Sequence, residues 1–111
     1  MERFDAEKCL KNMTSARILV AGDIMLDRFV YGAVERISPE SPVPVLSISR
    51  ENSMLGGAGN TLANLAGLGV KPVALSVVGN DKEGSEIRKL AEALDINTAG
   101  LLIDDERPTI V

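Results

Sequence analysis

Val73-Ala74-Leu75-Ser76-Val77-Val78-Gly79-Asn80-Asp81 decides the fold. An uncharged, almost wholly apolar run that stops at a Gly-Asn-Asp turn reads as a strand buried on both faces, as in a parallel sheet. Asp81 then stands where a helix wants its N-cap, and Ile87, Leu90, Ala91 and Leu94 recur at i, i+3, i+4 and i+7 on one helical face. Upstream, Ile18 to Ala21 form a second compact apolar run ending at Gly22-Asp23. An edge strand would avoid such a run, so this strand is expected inside the sheet with 73–78 as one neighbour. Ala99 to Ile103 is a third strand candidate, closed by Asp104, Asp105, Glu106 and Pro108. Leu62, Leu65 and Ala66 mark a helix ended by Gly67 and Gly69, and Ala6, Cys9, Leu10 and Met13 mark a short amphipathic helix at the start. Strands alternating with helices imply an α/β domain with a largely parallel sheet.

Residues 28–50 differ in character. Phe29, Val30 and Tyr31 are extended, Pro39, Pro42 and Pro44 forbid helix, and Leu46 and Ile48 alternate with Ser47 and Ser49. This stretch reads as an insertion standing off the sheet. The chain stops at Thr109-Ile110-Val111, an apolar run that reads as an unfinished strand, so a truncated chain is expected.

Composition narrows the function. The 111 residues are 45% hydrophobic and 25% charged, which fits a folded domain rather than a disordered one. A net charge of −4 and 3% aromatics leave neither an electrostatic footprint nor a stacking platform for nucleic acid. There is one cysteine, Cys9, and no histidine, so an internal disulfide, a mixed zinc site and Ser-His or Cys-His catalysis are all excluded. The charged N-terminus, with Glu2, Arg3, Asp5, Glu7 and Lys8, is no signal peptide. The uncharged stretch Asn52 to Val70 holds five glycines and three asparagines, a poor composition for a membrane span of about 20 apolar residues. A soluble, cytoplasmic protein is expected.

Three features are candidates for function. Asp27 follows the turn at the carboxyl end of the first strand, where ligands of open α/β sheets sit, and is placed to accept hydrogen bonds from ligand hydroxyls. Its bland reading is a solvated carboxylate. Gly56-Gly57-Ala58-Gly59-Asn60 opens a helix. Such glycines let backbone approach a ligand closely, and the Asn60 amide suits vicinal hydroxyls. As a dinucleotide motif it lacks the third glycine, Leu62 standing there, but Asp81 lies about where that fingerprint wants its acid, so a dinucleotide-binding module stays open. No GxxxxGK run exists, which excludes a P-loop. The third feature, Arg36 to Val45, RISPESPVPV, is a Pro-rich connection in which Arg36 alone has chemistry to offer an anion.

Taken in order over residues 17–111, these features resemble the N-terminal part of the ribokinase (PfkB) family of carbohydrate kinases. RISPESPVPV is similar to the heptose-phosphate kinases of that family, the kinase half of bifunctional heptose kinase/adenylyltransferases of lipopolysaccharide synthesis. The resemblance implies a ribokinase-like parallel sheet with helices and a protruding β-lid, here the N-terminal sugar-binding portion over 1–111. The lid would comprise residues about 28–50 and 107–111 and would often build a homodimer. Asp27, Gly56, Gly57 and Asn60 would bind sugar, and Arg36 a sugar phosphate. The family's catalytic Asp, in a Gly-Ala-Gly-Asp motif, and its nucleotide pocket lie beyond residue 111. ATP and Mg2+ would therefore serve the complete kinase, neither binding tightly here, and phosphorylation at C1 of heptose 7-phosphate would be the parent reaction. A non-catalytic dimerisation module is the remaining alternative.

Overall fold

A computed structural model describes residues 5–37 and 44–111, with side chains at 5–29 and 52–111. Along the chain run α1 (Ala6–Met13), β1 (Arg17–Ala21), β2 (Ile24–Ile37), β3 (Pro44–Gly57), α2 (Ala58–Gly67), β4 (Lys71–Gly79), α3 (Lys82–Ala93) and β5 (Asn97–Asp104). Asp5 caps α1 through Lys8 N–H, yet none of its residues is buried, and Cys9 is exposed. No helix among the described residues is long and apolar enough to cross a membrane.

The main sheet has the order β1-β4-β5 and is parallel throughout. This corrects one expectation: β4 is the neighbour of β1 as foreseen, but β1 is an edge strand here, and Leu19 is 61% exposed. The reason lies in the crossovers. Strand order advances in one direction, so two right-handed connections lay α2 and α3 on the same face of the sheet. Val20, Ala74, Val78 and Leu101 pack beneath those helices against Leu62, Ile87 and Ala91. Leu19, Leu75 and Leu102 point the other way and remain open. The expected burial on both faces is corrected as well: β1 is exposed along most of its length and β4 is covered on the helix side alone, so an apolar run reports neither which edge is paired nor whether both faces are covered.

β2 and β3 pair antiparallel from Ile24–Gly57 to Ile37–Pro44, with register shifts at Tyr31/Gly32 and Val34/Arg36. The inserted segment is thus one two-stranded hairpin, longer than the pieces at 29–31 and 45–49 that its composition suggests. Pro39 and Pro42 lie outside the described residues. The base of the hairpin belongs to the core: Ile24, Leu26 and Leu55 are buried with Leu62 and Ile87. Ser76, the polar member of the β4 run, accepts a buried hydrogen bond from Ile24 N–H at 3.1 Å, joining hairpin to sheet.

Residues 107–111 form no strand, contrary to their apolar pattern, but they are tied down. The Thr109 hydroxyl donates to Asp81 Oδ1 at 2.6 Å and accepts from Gly79 N–H at 2.9 Å. Thr109 N–H donates to Asp81 Oδ2 at 2.9 Å. Asp81 Oδ1 also caps α3 by accepting from Gly84 N–H at 2.7 Å. Past this clasp, the Ile110 carbonyl accepts from Leu26 N–H at 2.8 Å.

Two outcomes follow from this packing. Leu62→Ala, at a fully buried side chain, should cost about 2–5 kcal/mol in urea denaturation, whereas Leu102→Ala on the open face should stay within about 1 kcal/mol. The Thr109 hydroxyl, then Thr109 N–H and Gly84 N–H, hold the Asp81 carboxyl below its ordinary 3.8. A carboxylate lowered on folding adds stability above its ordinary value and loses it as pH falls through the folded value. The melting temperature should therefore drop more steeply on acidification from about pH 5 to about pH 2 in the parent chain than in Asp81→Asn.

Candidate functional site

Alternation along β2 divides its base into two faces. Ile24, Leu26 and Arg28 turn inward. Leu26 is fully buried, and Arg28 reaches α3, with Nη2 3.4 Å from Glu86 and 3.6 Å from Glu83. Met25, Asp27 and Phe29 turn outward, opposite Gly56, Met54 and Asn52 of β3. The outward face therefore presents a carboxylate among apolar neighbours, Phe29 at 43% and Met54 at 56% exposure.

The Asp27 carboxylate lies directly over Gly56. A Cβ at that glycine would collide with Oδ2 and come within 2.6 Å of Oδ1, so only glycine leaves the carboxylate its seat. Asp27 is half-buried, and no group among the described residues donates a hydrogen bond to it. A carboxylate sheltered on one side and left with open acceptor positions is suited to paired hydroxyl donors.

The chain then has to leave β3 and start α2 within one residue. Gly57 does this at φ 59°, ψ −130°, a conformation that side chains resist, and a Cβ there would sit 2.5 Å from the Asp23 carbonyl. That carbonyl instead accepts from Ala58 N–H at 2.8 Å, stitching the end of β1 to the start of α2. No side chain caps α2, and the first N–H of the helix, that of Ala58, is taken up by this bond.

The structure thus brings Asp27 and Gly56 into contact and sets Gly57 beside them. Asn60 lies exposed on the first turn of α2, with no hydrogen bond to Asp27. The side chain of Arg36 is outside the described residues. Phe29 and Met54 were not singled out from sequence, although the two-residue alternation about Asp27 was the signal for Phe29. Among the described residues no three carboxylates, cysteines or histidines gather into a metal site.

The dinucleotide alternative meets a different geometry. The strand before the glycines runs from Pro44 to Gly57, through the polar residues Ser49 to Ser53, and so leads straight into the glycine turn. That strand is an antiparallel hairpin strand, however, and not a member of the parallel sheet. Gly59 packs on Leu55 and Ile24 instead of facing outward, and Asp81 is committed to Thr109 and Gly84.

Comparison with known proteins agrees. The model of the pfkB family carbohydrate kinases matches residues 15–111. The bifunctional protein HldE of Caulobacter vibrioides (strain ATCC 19089 / CIP 103742 / CB 15) is 51% identical over 92 residues, 83% of this chain and 19% of that protein. HldE of Citrifermentans bemidjiense is 45% identical over 109 residues, 98% of this chain and 22% of that protein. The chain therefore spans about a fifth of the length of these relatives. The ribokinase of Cryptococcus neoformans var. grubii serotype A, solved with ADP, superposes with a TM-score of 0.58 at 24% identity, covering 86% of this chain and 29% of the ribokinase. With its ribokinase-like α/β fold and its match over residues 15–111, the chain belongs to the pfkB family of carbohydrate kinases.

Proposed function

We propose that the chain is the sugar-binding N-terminal portion of an ATP-dependent kinase that phosphorylates heptose 7-phosphate at its C1 hydroxyl, in the supply of ADP-heptose for lipopolysaccharide core synthesis. The observation that carries this reading is the half-buried Asp27 carboxylate seated on Gly56 with its acceptor positions open. Two sugar hydroxyls on neighbouring carbons would donate to its two oxygens. Gly56 and Gly57, lacking side chains, would let the ring approach the backbone, and the Asn60 amide would bond a further hydroxyl. Narrowing to a heptose phosphate is supported by the RISPESPVPV run, whose Arg36 would meet the sugar phosphate, and by relatives that carry the name HldE.

Phosphoryl transfer needs a positioned hydroxyl, a base and stabilisation of the phosphate charge. This chain supplies the positioning. It holds no Gly-Ala-Gly-Asp motif for the base and no magnesium ligand set among the described residues, so no step through either is assigned to it. ATP is the phosphoryl donor of the complete enzyme. Two copies would pair through the hairpin and residues 107–111 in a cytoplasmic homodimer, with no nucleic-acid or membrane partner.

Titration calorimetry with heptose 7-phosphate is the deciding measurement. Saturable binding is expected, weakened about tenfold or more by Asp27→Asn, since a hydrogen bond to a charged group contributes about 1.5–3 kcal/mol. Gly56→Ala should weaken it comparably by displacing the carboxylate. Binding of a nicotinamide dinucleotide instead of the sugar phosphate would overturn the reading. Sedimentation of the same sample should give a dimer. The chain alone should show no ATP turnover above background; fused ahead of the remainder of the Caulobacter relative, it should support turnover that Asp27→Asn abolishes.

A further inference from the structure

The clasp between Asp81 and Thr109 includes none of the residues proposed to bind sugar, and the sugar-site reading leaves it without a task. Its position suggests one. Leu26 N–H leaves β2 on the edge away from β3, where no strand among the described residues pairs with it, and its partner is the carbonyl of Ile110. Ile110 is held there because Thr109, itself buried, is gripped on three sides by Asp81 Oδ1, Asp81 Oδ2 and Gly79 N–H. The fit is close enough to require glycine at both ends. A Cβ at Gly79 would lie 2.6 Å from Asp81 Oδ2 and 2.7 Å from Thr109 N, and one at Gly84 would strike the Gly79 carbonyl. The next residue after Leu26 is Asp27.

The structure assigns Asp81 as a positioning residue for the sugar site, acting through Thr109 and Ile110 to fix the β2 backbone beside Asp27. This role rests on the proposal that Asp27 binds sugar. Asp81 itself touches no sugar. Its carboxylate does two jobs at once: Oδ1 caps α3, and both oxygens hold the 107–111 segment against the hairpin. Without that segment, Leu26 N–H would be an unpaired edge donor, and the β2 backbone that seats Asp27 over Gly56 would be held on its β3 edge alone.

The two jobs separate chemically. In Asp81→Asn the amide oxygen keeps the cap, because Asn and Asp are equivalent N-caps, but the amide nitrogen then opposes Thr109 N–H, donor against donor. Thr109→Val keeps the side-chain shape and removes the hydroxyl, a second route to the same release should the first variant fold poorly. Ile96→Val, at a buried core residue just before β5, serves as a control that loosens the core with the clasp intact.

Three readouts on the 111-residue chain test this: hydrogen exchange at the Leu26 amide, heptose 7-phosphate affinity by calorimetry, and melting temperature. Both clasp variants should speed Leu26 exchange about tenfold relative to Ala74 and weaken sugar binding about tenfold, while Ile96→Val at a comparable melting temperature keeps parental affinity. Unchanged Leu26 protection, or affinity falling with melting temperature alike in all three variants, would overturn the assignment. Parental chain that binds no sugar phosphate, with Leu26 still released by Asp81→Asn, would defeat the sugar reading and reduce the clasp to a structural strap. Parental binding that survives the release of Leu26 would defeat the positioning role alone.

Discussion

The contact between the Asp27 carboxylate and the bare backbone of Gly56 constrains everything around it. Two strands must run side by side in register for these residues to meet, and the second must then turn into a helix at once. Gly57 makes that turn in a conformation that any side chain would strain, and its neighbour Ala58 returns a hydrogen bond to Asp23 at the end of β1. The hairpin, α2 and the first sheet strand are therefore locked at one junction, and the carboxylate is placed by that junction rather than by partners of its own.

Rigidity at the junction comes from the inward side. Leu26, Leu62 and Ile87 are fully buried and bring hairpin, α2 and α3 onto one core. Polar groups then finish what packing begins: Ser76 holds Ile24, Ile110 holds Leu26, and Ala58 binds Asp23. Each bond satisfies a backbone group at the base of β2 that no strand partner reaches. The Arg28 pairs with Glu83 and Glu86 lie at the surface and add little beyond orientation. The outward face carries one carboxylate and the apolar flanks of Phe29 and Met54.

The sheet itself is covered on one side. Both crossovers turn the same way, so α2 and α3 share a face and Leu19, Leu75 and Leu102 stay exposed on the other. This chain spans about a fifth of the relatives it matches. On the function proposed above, the pieces it contains are those that would position a sugar, and proton removal and phosphate stabilisation have no residues assigned here.

Local pattern determined the elements. Apolar runs ending in Gly-Asp or Gly-Asn-Asp, helical spacing at i, i+3, i+4 and i+7, and Asp81 as an N-cap are consequences of backbone geometry within a few residues, and the elements stand where they were expected, although Leu94 is the exposed C-cap of α3 and no residue of α1 is buried. The glycine pair at Gly56 and Gly57 was legible for the same reason, because a backbone that needs glycine leaves it in the sequence. Tertiary structure decided what distance along the chain conceals. The edge position of β1, the extension of the hairpin through Ser49 to Ser53, and the meeting of Asp27 with Gly56 all depend on register between strands. Thr109, 28 residues beyond Asp81, looked like part of an unfinished strand. Its hydroxyl and N–H are held by a carboxylate instead, and no spacing rule connects two groups that only the folded chain makes neighbours.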